Sequence, residues 1–378
     1  MLWAYLWVFL GTAGAVALAM PLVLWLARKV GAIDQPSDRK VHPKPTPTLG
    51  GIGILMGVLA GLGVAYLIPS FRQLFQQSSE IQGTIVAAVV ISGVGALDDI
   101  RTLSAPAKVA GQVLAAGLLI LYGGVELLFF WFPKQGIISL GSDLAVPLTV
   151  LWVLIMVNAI NLMDGLDGLA AGIVVIAAGA FFVWVYVVPP SLGGPVSTAG
   201  LLSAVAVGAG VGFLPYNFYP ARIFMGDSGS MLLGVLLAAA TISGVGRTIQ
   251  PSGGDLAALS IPVLIPAIVL AVPLADVALA IIRRVRRGKP VFAPDKEHIH
   301  HQLQEIGHTH RRAVLIMYFW SVLLAGAALA ISFINGRLIV GAILGVALLL
   351  IAATFLPRRI RESRRLKRLA KAPAETAR

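Results

Sequence analysis

The 378-residue chain has no cysteine. That excludes disulfides, thiol nucleophiles and thiolate-held metals, and it leaves the redox compartment unmarked. Charge is scarce as well: 12% of residues are Asp, Glu, Lys or Arg, while 58% are hydrophobic and mean hydropathy is +0.88. Soluble domains carry roughly a quarter charged residues, so this composition cannot clothe a water-facing surface. Disordered, collagen-like and coiled-coil chains are excluded with it. No Lys or Arg precedes Arg28, so the first apolar run lacks the basic lead of a cleavable signal and reads as a permanent span.

What the chain has in quantity is apolar length. A helix crossing hydrocarbon needs about 20 mostly apolar residues. Eleven runs read this way, near 2–27, 49–68, 83–97, 109–123, 145–160, 169–188, 198–214, 229–246, 259–282, 313–334 and 336–356. They are too continuous for barrel strands, which alternate over about ten residues. The expectation is an all-α, polytopic membrane protein, with one transmembrane domain over 1–356 and a basic tail over 357–378. Connections 28–48, 98–108, 157–168, 215–228 and 283–312, with the tail, hold 25 of the 29 Lys and Arg. The positive-inside rule then puts them in the cytoplasm, the N-terminus outside and the C-terminus inside. The tail reads as an anchor on anionic lipid. Nothing aromatic is interleaved there, and no nucleic-acid partner is expected.

Because charges are few, each acid can be read singly. An ionisable group costs roughly 2.5–3.5 kcal/mol at mid-helix and marks function by default. Asp98 and Asp99 lie in GALDDIRTLSAPAK, Asp164 and Asp167 in NAINLMDGLDGLAAG, and Asp227 in NFYPARIFMGDSGS; all fall on the cytoplasmic side. Five carboxylates at one face repel one another and need a counter-charge. An oxygen-rich set of Asp and Asn suits Mg²⁺, which binds through one or two carboxylates plus substrate phosphates.

Cations stand beside them. DQPSDRKVHPKPTPTLGGIG brings Arg39, Lys40, His42 and Lys44 on a proline-stiffened loop, and Gly50 and Gly51 permit close backbone approach. RRVRRGKPVFAPDKEHIHHQL brings His298, His300 and His301. At i, i+2 and i+3 these cannot all share a helix face, and they lack the i, i+4 spacing of a helical zinc pair. Phosphate-facing imidazoles are the preferred reading. His308 and His310, in GHTHRR, read as a polar turn. Acids for a divalent metal and bases for phosphates at one membrane face suggest phosphoryl transfer to or from a lipid. A transporter or flippase of a phosphate-bearing ligand stays open, although such proteins hold their charged site near the midplane between repeated halves and no internal repeat is evident.

Five segments in order resemble the polyprenyl-phosphate N-acetylhexosamine-1-phosphate transferases: DQPSDRKVHPKPTPTLGG (34–51), LDDIRTLSAPAKVAGQ (97–112), NAINLMDGLDGLAAG (158–172), PYNFYPARIFMGDSGS (215–230) and PDKEHIHHQL (294–303). The resemblance implies a multi-pass enzyme of the bacterial plasma membrane. A polyprenyl phosphate, undecaprenyl phosphate in bacteria, would attack the β-phosphorus of a UDP-amino sugar and release UMP. It implies Mg²⁺, with Mn²⁺ as a substitute, held by Asp227 and Asn161. Asp98 corresponds to the acid that deprotonates or orients the lipid phosphate, Asp99 to its support, and Lys108 to the diphosphate contact. Asp164, Asp167, Asn217 and Phe224 match the uridine and sugar pocket, and Asn158 is expected among the substrate-binding residues. His298, His300 and His301 match phosphate or sugar contacts, with Lys40 and Thr46 nearby.

Two departures stand out. Thr102 replaces a third acid after the Asp pair, and Asp276 lies inside the ninth run, where it reads as half of an internal polar pair. HIHH in place of consecutive histidines, the RKVHPKPTPTLGG loop and the eleven-span count look more like the UDP-N-acetylglucosamine branch, which starts wall teichoic acid, O-antigen or similar polymers. The phospho-N-acetylmuramoyl-pentapeptide branch is the alternative. Gly53, Gly57 and Gly61 permit close helix packing, within the bundle or at a homodimer face, with the bundle preferred. Residues 124–144 read as an outside hairpin with Trp131 at headgroup level.

Overall fold

An apolar run in lipid becomes a helix because every backbone amide then finds its partner within the segment. The computed structural model describes residues 1–36, 44–132, 136–187, 196–245 and 308–333, with isolated positions between 270 and 350. In order they form α1 (Leu2–Val30), β1 (Ile33–Asp34), β2 (Thr46–Pro47), α2 (Gly50–Leu67), a 3-10 turn (Pro69–Phe71), α3 (Arg72–Gln77), α4 (Glu80–Arg101) and α5 (Ala105–Leu121). There follow β3 (Phe129–Phe132), β4 (Gly136–Ser139), α6 (Ser142–Met163), α7 (Leu169–Val187), α8 (Thr198–Asn217), α9 (Gly226–Val245) and α10 (His310–Phe333).

The protein is a polytopic all-α membrane protein. Among the described residues, eight helices are long and apolar enough to cross a bilayer, and α5, at 17 residues, is a shorter apolar helix. Each matches one of the expected runs. Apart from isolated positions, the expected spans 259–282 and 336–356 lie outside the described residues, as do the tail, Asp276, Arg39, Lys40, His42, His298, His300 and His301.

α9 is apolar all round and occupies the centre, packed on α2, α4, α6, α7 and α8; α8 in turn lies between α1 and α7. Positions Gly53, Gly57 and Gly61 face Met20, Val16 and Thr12 of α1. That stripe is therefore spent on packing inside the bundle. β3 pairs antiparallel with β4, Phe129 opposite Ser139, as the 124–144 hairpin reading expected.

Helix ends depart from the sequence reading. α6 continues to Met163, α4 to Arg101, and α5 begins at Ala105. Asp98, Asp99, Lys108, Asn158 and Asn161 therefore sit on helices, not in the connections where they were expected. Their polar side chains point to neighbouring helices while the backbone ladder runs on beneath them. The β1–β2 ladder, Ile33 opposite Pro47 and Asp34 opposite Thr46, returns the first connection to the bundle. Thr46 and Thr48 are buried there, and Leu49 starts α2 with φ 77°.

Candidate active site

Successive residues of a helix point in different directions, and Asp98 and Asp99 in the last turn of α4 do different things. Asp98 accepts from Leu103 N–H at 2.6 Å through Oδ1 and pairs with Lys108 Nζ at 2.7 Å through Oδ2. Lys108, in the first turn of α5, reaches Asp227 Oδ2 at the same 2.7 Å. Asp227 Oδ1 accepts from Asn161 Nδ2 at 2.8 Å, and that amide also donates to Ser230 Oγ at 2.9 Å. One ammonium thus ties the ends of α4, α5 and α9 together, with α6 joined through Asn161.

Asp99 turns towards the start of α9. It accepts from Asp227 N–H at 2.8 Å, Ser228 N–H at 3.2 Å and Ser228 O–H at 2.8 Å. The first N–H groups of a helix have no partner within it, and here an acid from another helix supplies one. Its negative charge also suits the positive end of the α9 dipole. Asp99 therefore fixes where Asp227 stands. Gly226 sits just beneath with φ 70°, and a Cβ there would meet the Asp99 carboxylate and Thr48 Oγ1. One turn earlier on α4, a Cβ at Gly95 would overlap the Ser228 backbone. The MGDSG glycine and Gly95 let the two helices touch.

Asp164 keeps some accessible surface, but its carboxyl lies deep beside Asp227 and Asp99. Burial pushes it well above the usual carboxylate range; the two neighbouring charges add to this and the Gly226 backbone amide opposes it. Asp98, Asp99, Lys108, Asn161, Asp164 and Asp227 are thus brought to one place. Asp167 and Asn217 form an adjoining group. Asp167 Oδ2 accepts from Ala221 N–H at 2.9 Å, and Asn217 accepts from Gly168 N–H at 3.0 Å while donating to Ile223 O at 3.1 Å.

Three expected residues are engaged otherwise. Asn158 donates to Gln112 Oε1 at 2.7 Å and to Leu154 O at 2.8 Å, which ties α6 to α5. Thr46 Oγ1 donates to Lys44 O at 3.1 Å. Phe224 contributes its backbone: its N–H donates to Pro47 O at 2.8 Å and its carbonyl accepts from Gly50 N–H at 3.0 Å, beside Gly51 N–H to Met225 O at 2.9 Å. These bonds dock the first connection onto the 218–225 loop, the close approach expected of Gly50 and Gly51.

Sequence reasoning missed Ser228, Ser230, Gln112 and Tyr318. Ser228 and Ser230 stood in the motif already singled out, and hydroxyls in a first helical turn are a capping signal. It also misread His310. That residue does not lie in a turn but begins α10, where its Nε2 accepts from Asp167 N–H at 3.0 Å.

Residues 81–245 match the model of glycosyl transferase family 4. The chain is 40% identical over 344 residues to a decaprenyl-phosphate N-acetylglucosaminephosphotransferase of Mycobacterium leprae, covering 90% of this chain and 86% of that protein. The chain belongs to glycosyl transferase family 4. A second relative of this family-4 transferase, from Bacillus subtilis, is named "Probable undecaprenyl-phosphate N-acetylglucosaminyl 1-phosphate transferase"; it is 40% identical over 304 residues, 80% of this chain and 78% of the relative. A phospho-N-acetylmuramoyl-pentapeptide-transferase of Desulforudis audaxviator is 33% identical over 321 residues, 79% of this chain and 87% of that protein.

In this family-4 chain the donor set fits a hard divalent cation. Asp227 and Asn161 are in contact, and a half-turn of the Asn161 amide presents its oxygen to the same point. Among the described residues no three His, Cys, Asp or Glu side chains form a ligand cage. A cation here needs substrate phosphates and water to complete its shell, which is how Mg²⁺ is usually held.

Proposed function

We propose that the protein transfers N-acetylglucosamine-1-phosphate from UDP-N-acetylglucosamine to undecaprenyl phosphate at the cytoplasmic face of a bacterial plasma membrane. The products are UMP and the polyprenyl-diphospho-sugar that begins a cell-envelope polysaccharide such as teichoic acid or O-antigen. The observation that carries this reading is the Asp98–Lys108–Asp227–Asn161 constellation at the helix ends of one side of the bundle. The cytoplasmic orientation is supported by the 25 of 29 Lys and Arg assigned to that side.

A phosphate monoester has a second pKa near 6 and is largely dianionic at pH 7, so the attacking lipid needs positioning more than deprotonation. Asp98, half-committed to Lys108, is placed to orient the lipid phosphate and take its residual proton. Lys108 leaves its carboxylate partners for the donor diphosphate and offsets charge growing on the departing UMP. Asp99 holds the start of α9, so Asp227 need not move as this happens. Mg²⁺, held by Asp227 and Asn161 with Mn²⁺ as a substitute, would supply charge neutralisation between the two anions.

The N-acetylglucosamine donor is supported by two relatives at 40% identity, against 33% for the muramoyl-pentapeptide one. The test is purified protein with Mg²⁺, undecaprenyl or decaprenyl phosphate and each UDP-sugar in turn, with UMP release measured. UMP from UDP-N-acetylglucosamine is expected. Product from the muramoyl-pentapeptide donor alone would move the protein to that branch. No UMP from any donor would refute the reading and leave a transporter.

A further inference from the structure

The loop between α6 and α7 runs from Asp164 to Gly168, and its Asp164 carboxyl lies beside Asp227 and Asp99. Its far end is gripped from α10. His310 Nε2 accepts from Asp167 N–H at 3.0 Å, so the imidazole is neutral and carries its proton on Nδ1. Two turns along the same helix, Tyr318 donates its hydroxyl to Gly168 O. A Cβ at Gly172 would overlap the Tyr318 ring, so this glycine makes the space the tyrosine fills.

α10 also holds the loop opposite. The Tyr219 ring stacks on His310 at 4.5 Å and 26°. The Arg311 guanidinium donates to Tyr219 O at 3.1 and 3.3 Å and lies over the same ring at 5.7 Å. The two loops are joined to each other by Asp167 Oδ2 and Ala221 N–H. One helical turn, His310 and Arg311, thus clamps the Asp167–Gly168 end of one loop to the Tyr219–Ala221 segment of the other.

We infer that His310 is a positioning residue for binding of the nucleotide sugar: the α10 clamp fixes the Asp164–Asp167 loop against the Tyr219–Ala221 loop and so shapes the wall of the site beside Asp227. The groups placed to react, Asp98, Lys108 and Asp227, are held to one another by bonds among α4, α5, α6 and α9, and neither His310 nor Arg311 bonds to them. Its effect therefore falls on binding more than on the chemical step. The soluble substrate is the one concerned, because the clamp lies at helix termini with Tyr219 and Arg311 partly in solvent. The ligand's identity rests on the proposed function; the clamp rests on geometry alone.

The experiment compares wild type with His310→Phe, which keeps a ring on Tyr219 but offers Asp167 N–H no acceptor, and His310→Gln, which restores one. Hydrogen–deuterium exchange in detergent reads the clamp directly. Exchange at 165–169 is expected to rise at least fivefold in His310→Phe and return towards wild type in His310→Gln, with α4 and α9 unchanged. In the UMP-release assay, His310→Phe is expected to raise the KM for UDP-N-acetylglucosamine roughly five- to tenfold, more than it lowers kcat, and His310→Gln to recover most of it. Unchanged exchange at 165–169 overturns the clamp. Altered exchange with unchanged KM, or with a loss confined to kcat, overturns its role in binding. Absence of UMP release in the wild type overturns the proposed function instead, and exchange still decides the clamp.

Discussion

Lys108→Met separates the work of the ammonium from that of the acids. Methionine keeps most of the stem and removes the charge. In the wild type Asp98 Oδ2 and Asp227 Oδ2 each lie 2.7 Å from Nζ, so they are at most about 5.4 Å apart. Two unit charges at that separation repel by about 3 kcal/mol at an effective dielectric of 20. The side chains are 30% and 22% exposed for Lys108 and Asp227, and solvent screening trims the figure to about 1.5–3 kcal/mol. A divalent cation relieves this repulsion and no longer competes with the ammonium for Asp227. Without nucleotide, Lys108→Met should therefore bind Mn²⁺ roughly ten- to a hundredfold more tightly, as read by electron paramagnetic resonance or calorimetry in detergent. Turnover should fall at least about a hundredfold, because the donor diphosphate would lose the partner proposed for it. A folded Lys108→Met protein whose Mn²⁺ affinity is unchanged or weaker would refute the argument that ammonium and metal contend for one carboxylate.

Asp227→Asn keeps an oxygen to accept from Asn161 but no charge for Lys108 or a cation; UMP release should drop below about a hundredth of wild type with melting temperature retained, and a wild-type rate removes Asp227 from the site. Asp99→Ala strands two N–H groups and a hydroxyl at the start of α9, at a cost of about 3 kcal/mol or more, whereas Asp99→Asn keeps one acceptor. Thermal unfolding in detergent should rank wild type above Asp99→Asn above Asp99→Ala, and equal melting would show that the α9 cap contributes nothing. Gly95→Val should lower both melting and turnover by driving α4 from Ser228, while Gly93→Val, which meets open space, should do neither; equal behaviour of the two variants rules out the close contact.

Much of this protein could be read in its sequence, for a physical reason. Lipid leaves the backbone few choices, so apolar runs alone named each long described helix, and scarcity of charge made the acids of three motifs conspicuous. The resemblance of those motifs to a transferase family held up in the comparisons, and Asp98, Asp99, Lys108, Asn161, Asp164 and Asp227 do meet at one end of the bundle. Helix ends were less legible. Asn161 and Lys108 lie on helices because polar side chains at a terminus can face another helix while the ladder continues, and hydropathy does not register that.

Composition and the length of apolar runs determined that the chain is a membrane-embedded helical bundle and which polar groups had to be explained, because both follow from the cost of leaving water. Only the tertiary structure decided what each polar group does. Adjacent Asp98 and Asp99 look alike in sequence, yet one faces Lys108 and the other caps α9. Asn158 and Asn161 lie three residues apart on α6, yet one ties helices together and the other reaches Asp227. His310, read as a polar turn, holds the loop of Asp167 from 143 residues away in the chain. Partners at such separations are set by how helices pack, and local sequence carries no record of them.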